Sequence, residues 1–255
     1  MFLCSVEAKK KREFVLCTWN IGHFSNGSKP YSLIKPNSYE ESLRLYRSFL
    51  YNEISPDVIC VNEYNRVFSG EGNGMNSYLT SSLLFNEFKR KFVGSSLPPI
   101  CNALFSNIRI RKPRIFYFES LNRPENGISF KIRDNYYIET DLYLSGNKVK
   151  LVCFHLLYLS EIPETLQRIQ IQELVEMYDK TDKVILCGDW NTGKYSLLKD
   201  AGYVLANDGS FKTYPSKGYP LDNIAVKGME LSDVRMINTN LSDHNPLVCR
   251  ISLDN

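Results

Sequence analysis

The stretch YIETDLYLSGNKVKLVCFH, Tyr137–His155, decides the fold. Its two β-like runs, Tyr137–Leu144 and Lys148–His155, flank Ser145-Gly146-Asn147, a turn sequence that joins antiparallel strands in a hairpin. The segments on either side alternate between strand and helix. Downstream, Ile162–Tyr178 reads as a helix, with Pro163 in its first turn and Ile171, Leu174, Val175 and Tyr178 on one face. Lys183–Cys187 follows as a buried strand, and Val226–Asn238 and Leu247–Leu253 make the end β-rich. Upstream, Phe14–Trp19 is a strand, and Ser38–Ile54 is a helix opened by a Ser cap with Glu41 three residues on and stopped before Pro56. Asp57–Val61 is apolar after its first residue, as in a strand covered on both faces, and a second helix is expected within Tyr78–Lys91. Antiparallel pairing inside an α/β alternation predicts two mixed sheets packed together with helices outside.

The 255 residues contain no internal repeat, linker or shift in composition, which favours one large domain over two. A basic arm, residues 1–13 with Lys9-Lys10-Lys11-Arg12, precedes a single domain over 14–255. Hydrophobic residues at 43% and charged residues at 23% argue against disorder and fibrous folds. A net charge of +3 neither announces nor excludes a nucleic-acid binder. No apolar run approaches the roughly 20 residues of a bilayer span, and Met1–Glu7 does not read as a secretory signal. The seven cysteines form no CxxC pair, and five of them lie in apolar β-like runs. An odd count buried in this way favours a reducing, cytoplasmic setting, and the chain is expected to be a monomer.

The chemistry should lie where the strands end. The run ending at Trp19 meets Asn20, that ending at Val61 meets Asn62-Glu63, that ending at Phe154 meets His155, and that ending at Cys187 meets Gly188-Asp189-Trp190-Asn191. In layered α/β sheets, ligands collect beyond the carboxyl ends of the strands. Carboxylates and carboxamide oxygens form a hard-oxygen set suited to Mg2+ or Mn2+, with histidines acting beside it. Any one of these residues alone would read as a turn or cap residue. Near the end, Ser242-Asp243-His244-Asn245-Pro246 offers a carboxylate next to an imidazole able to move protons near neutral pH. Asp222, in Leu221-Asp222-Asn223-Ile224, would hold that imidazole's tautomer.

These segments, taken in order with Thr18-Trp19-Asn20 and Asn102-Ala103-Leu104-Phe105-Ser106, resemble the endonuclease/exonuclease/phosphatase superfamily, the fold of DNase I. The resemblance runs from Phe14 to Leu253 and implies a four-layer α/β sandwich: two mixed β-sheets packed face to face with helices on both outer sides. It further implies divalent-metal-dependent hydrolysis of a phosphoester, with Mg2+ or Mn2+ as cofactor. Carried over by position, Glu63 is the principal metal ligand with Asn20 beside it, and Asp243 completes the metal side. Asp189 and Asn191 orient the attacking water and the phosphate, and His244, paired with Asp222, contacts the phosphate and moves a proton. His155 matches a second histidine that assists the phosphate or the leaving group, and Asn102 is expected on the substrate. The chain departs from the family pattern at Asn62, where Gln is common, and at Asn126-Gly127-Ile128, which lacks an Arg. The Gly-rich loop Arg66–Asn76 matches no branch of the family.

Substrate class is open. Arg109 and Arg111 fall on one face of a strand and would track a phosphate backbone if that strand bordered the site, although a charged edge strand reads the same way. A nuclease acting on nucleic acid leads. An inositol-phosphate phosphatase or sphingomyelinase-like phospholipase of the same fold is the alternative, followed by an inactive partner-binding member.

Overall fold

The computed structural model describes residues 13–22, 44–65, 90–93, 100–122, 135–158 and 165–253. The hairpin pairs Tyr136–Leu144 (β6) with Asn147–His155 (β7), leaving Ser145 and Gly146 as a two-residue loop. Both loop residues have positive φ, 51° and 86°, the backbone twist that matches right-handed strands. β7 then pairs in parallel with Val184–Asp189 (β8), which is buried at every residue. Asp222–Lys227 (β10) and Val204–Leu205 (β9) extend this sheet on one side, and Arg109–Tyr117 (β5) closes the other.

The other sheet has Glu13–Asn20 (β1) near its centre, parallel to Val58–Asn65 (β2) and antiparallel to Leu247–Ser252 (β12). Glu230–Met236 (β11) forms one edge, and Ile100–Ser106 (β4) followed by Arg90–Val93 (β3) forms the other. Each sheet therefore mixes parallel and antiparallel neighbours. Their inner faces meet in an apolar core that includes Leu16, Val58, Cys60, Leu151, Cys153, Cys187 and Ile224.

Helices cover the outer faces. A helix over residues 44–49 (α1) runs into a π-helical turn, Leu50–Ile54, and its Tyr46 and Phe49 rings lie 5.2 and 5.3 Å from Trp19. Thr165–Met177 (α2) and Ser196–Asp200 (α3) bury Leu166, Ile171, Leu174 and Leu198 against Val152, Phe154 and Leu186. The six described cysteines are buried and unbridged. No described helix is long and apolar enough to cross a membrane.

Several expectations need correction. The segment Val226–Asn238 is two strands in different sheets, β10 and β11, divided at Gly228. There φ is +70°, and a Cβ would fall 2.0 Å from the Asp182 carbonyl oxygen. The helix expected within Tyr78–Lys91 lies mostly outside the described residues, and Arg90 and Lys91 belong to β3. Glu13, assigned to the basic arm, opens β1 opposite Ser252. The rest of the arm, the Gly-rich loop Arg66–Asn76 and Asn126-Gly127-Ile128 lie outside the described residues.

Candidate active site

The register of one sheet lines up half of the site. His155, Asp189 and Asp222 are consecutive partners across β7, β8 and β10, so their side chains share one row on the inner face. His155 ends β7 and Asp189 ends β8, while β10 runs the opposite way and begins with Asp222. Asp189 Oδ2 lies 3.5 Å from His155 Nε2 and 3.8 Å from His244 Nε2.

Gly188 makes this row possible. Its φ of +146° and its position against Phe154 leave no space for a side chain, since a Cβ would sit 1.8 Å from the Phe154 carbonyl oxygen. That oxygen accepts a 2.8 Å hydrogen bond from Asn62 Nδ2, and Asn62 Oδ1 accepts one of 2.9 Å from the Asp189 backbone N–H. Trp190 is buried, its ring edge-on to Phe154 at 4.7 Å and its Nε1 donating to the Asn223 carbonyl. The tryptophan thus anchors the turn, while Asp189 and Asn191 face the cavity. Asn191, at φ +51°, donates its N–H to Asp189 Oδ1 and its Nδ2 to the Leu156 carbonyl.

The opposing sheet supplies the other half. β2 does not stop at Val61. It continues to Asn65 through a bulge in which Asn62 and Glu63 together face Asn102. Glu63 sits there at φ +53°, a conformation rare for a side-chain-bearing residue. Strict alternation would put Asn62 and Glu63 on opposite faces, and the bulge places Glu63 on the cavity beside the inward-facing Asn62. Asn20 joins the halves: its Nδ2 donates to Glu63 Oε1 at 3.1 Å and to Asp189 Oδ2 at 3.0 Å.

His244 arrives on the loop between β11 and β12. Ser242 Oγ donates to the Asn20 carbonyl and accepts the His244 N–H, while Trp19 Nε1 donates to the His244 carbonyl. Its Nδ1 lies 2.7 Å from Asp222 Oδ2. Burial opposes charge on the imidazole, but the Asp222 and Asp189 carboxylates outweigh it and push its pKa up to about 10. Burial also raises Asp222, with His244 pulling against it. One proton is held across this contact. It belongs on the imidazole, because Asp189 favours the cation as well.

Glu63, Asp189 and Asp243 line a single cavity of about 620 Å³ with His155, Asn191 and His244. Such a concentration of carboxylate oxygens fits a hard divalent cation. Asp189, Asp222 and His244 also bring ligand-type atoms within 4.8 Å of one another. Asp222 is fully buried, however, and is committed to His244 Nδ1, so this group serves better as an oriented imidazole than as a metal cage. Glu63 and Asp243 line the cavity with carboxylates that suit Mg2+ or Mn2+, whereas Asn20, expected beside them as a ligand, spends its Oδ1 on the Gly22 N–H and turns its Nδ2 toward Glu63 and Asp189.

Three expected substrate contacts lie elsewhere. Asn102 is buried behind Asn62, accepting from its Nδ2 at 2.8 Å and donating its backbone N–H to Tyr136 Oη. Arg109 and Arg111 pair with Tyr143 and Asp141 at the far end of β6, whereas the Tyr136 end adjoins the site. With Arg114, Lys148 and Lys150, Arg111 lines a separate surface hollow. Conversely, sequence reasoning overlooked Tyr158, Tyr214, Lys217 and Tyr219, which line the cavity. The turn residues Pro215 and Gly218 just before Leu221-Asp222 were the available signal.

Two mixed sheets with a polar cluster at their shared rim define the class of DNase I-like α/β sandwiches. The chain belongs to the Endonuclease/Exonuclease/phosphatase family, whose profile matches residues 17–244. It is 28% identical over 118 residues to a UPF0294 protein of Vibrio cholerae, a match covering 43% of this chain and 42% of that protein. It thus spans less than half the length of the curated relatives it matches. In fold it is similar to an endonuclease/exonuclease/phosphatase from Beutenbergia cavernae, with a TM-score of 0.66 at 14% identity, covering 96% of this chain and 72% of that one. D. rerio TDP2 complexed with single strand DNA product gives 0.62 at 14%, with coverage of 94% and 99%. The human Nocturnin catalytic domain with bound sulfate anion gives 0.58 at 17%, covering 96% of each.

Proposed function

We propose that the protein is a divalent-metal-dependent phosphodiesterase and that its substrate is nucleic acid. The observation that carries this reading is the row His155–Asp189–Asp222, with His244 fixed on Asp222 at 2.7 Å above a carboxylate-lined cavity. Phosphodiester hydrolysis needs an aligned water, a place for its proton and positive charge on the non-bridging oxygens. Asp189 aligns the water and receives its proton at Oδ2, held in place by Asn20 Nδ2 and the Asn191 N–H. His244, kept cationic by Asp222, presents Nε2–H to a phosphate oxygen. His155 stands on the other side of Asp189 and assists the leaving oxygen. A Mg2+ or Mn2+ ion held by Glu63, with Asp243 beside it, would supply charge neutralisation and a more acidic water.

Family membership supports phosphoester chemistry. The nucleic-acid assignment draws on the similarly folded D. rerio TDP2, which is described with single strand DNA product. The deciding assay is a panel of plasmid DNA, single-stranded oligonucleotides, RNA, inositol phosphates, sphingomyelin and a generic diester with Mg2+, using Asp189→Ala as the blank. Turnover of nucleic acid that falls by several orders of magnitude in Asp189→Ala and in His244→Ala is expected. Turnover near the parent level in either variant refutes the mechanism.

A further inference from the structure

Six large hydrophobic side chains are exposed among the described residues, and two of them, Tyr158 at 55% and Tyr219 at 51%, stand on the rim of the candidate cavity. Tyr158 lies three residues beyond His155, at the end of β7. Tyr219 lies three residues before Asp222, on a tight turn closed by reciprocal backbone bonds with Tyr214 of 2.9 and 3.1 Å. Gly218, at φ +66°, lets that turn close, with its N–H donating to the Pro215 carbonyl. The Tyr214 ring packs on the His244 ring at 4.9 Å, so the turn is braced against the imidazole. Lys217, on the same turn, also lines the cavity.

We propose that Tyr158 and Tyr219 form a stacking subsite for an unpaired nucleobase flanking the scissile phosphate, with Lys217 pairing to the adjoining phosphate. This rests on the phosphodiesterase reading and deepens it, making single-stranded nucleic acid the substrate class. Half-exposed rings held on short, braced segments offer flat apolar faces at little ordering cost, and every base has a face to match. The charge pattern argues for one phosphate at a time. Among the described residues the cavity combines Glu63, Asp189 and Asp243 with one lysine and two imidazoles, too little positive charge for a polyphosphorylated ring. Among the described residues its apolar lining is chiefly aromatic, with Leu221 and Pro220, and offers no long aliphatic surface to an acyl chain. A base paired in a duplex has its faces covered, which disfavours double strands at this rim.

The test compares a dinucleotide diester with its abasic counterpart, with Mg2+. The parent protein should favour the base-bearing diester roughly tenfold in kcat/KM, mainly through KM. Tyr158→Ala and Tyr219→Ala should each bring that preference toward parity, while Tyr158→Phe and Tyr219→Phe retain it, because stacking uses the ring and not the hydroxyl. Both positions are solvent-exposed, so the variants should fold. Equal turnover of the two diesters by the parent, or full preference in both alanine variants, overturns the subsite alone. Turnover confined to inositol phosphates or lipid diesters overturns the nuclease reading, and the subsite falls with it.

Discussion

Asn20 and Asp189, 169 residues apart and in different sheets, are joined by a 3.0 Å hydrogen bond across the rim where the sheets meet. The same amide nitrogen reaches Glu63, so one side chain spaces two carboxylates. Asn20→Ala should leave these like charges facing each other without a bridge. We expect a loss of roughly 100-fold in kcat/KM with little change in secondary structure. Parent-level kinetics would show that the amide is dispensable.

The His244–Asp222 contact predicts a signed pH dependence of stability. The imidazole pKa rises from 6.5 to about 10 in the folded protein. Its contribution is therefore complete below about pH 6.5 and is lost as pH climbs through about 10. Between those values, Tm of the parent should fall more steeply than that of His244→Gln, which has no titrating group there. Parallel Tm curves would place the proton elsewhere.

Chelation tests the carboxylate lining of the cavity. EDTA should abolish turnover, and Mg2+ or Mn2+ should restore it. Mn2+ titrated into the parent should raise Tm with concentration, as for any ligand that binds only the folded state. In Glu63→Gln that rise should shrink or vanish. An undiminished rise would move the cation away from Glu63.

Gly188→Ala tests the fit between β7 and β8. With the new methyl only 1.8 Å from the Phe154 carbonyl oxygen and a φ of +146°, the strands must part. Destabilisation of about 4 kcal/mol or more is expected, enough to cost soluble expression in many proteins. A variant with parent-like Tm would mean that the backbone relaxes freely there.

Much of this arrangement is legible in local sequence. Val58–Val61 and Val184–Cys187 are recognisable as buried strands from their composition, and a strand's end tells where its next polar residue lies. Asn20, His155 and Asp189 could be located in that way. Sequence also placed Arg109 and Arg111 on a strand, but alternation reports a face and not an end, and the register carries them to the wrong end. The bulge at Glu63 was invisible because nothing in Asn-Glu-Tyr demands positive φ. The role of Asn62 is hidden in sequence because its amide acts through the Asp189 backbone and not on a ligand. Tyr214 and Tyr219 became meaningful only once the turn came to rest on His244.

The position of β1 between β2 and β12 has a consequence for biosynthesis. The loop bearing His244 is tethered by β12, which is made after β7 and β8, and the strand holding Asn20 waits for the same partner. A nascent chain that has already made β7 and β8 has His155 beside Asp189 but still lacks the imidazole of His244. The order of synthesis thus keeps His244 away from Asp189 until β12 has docked beside β1.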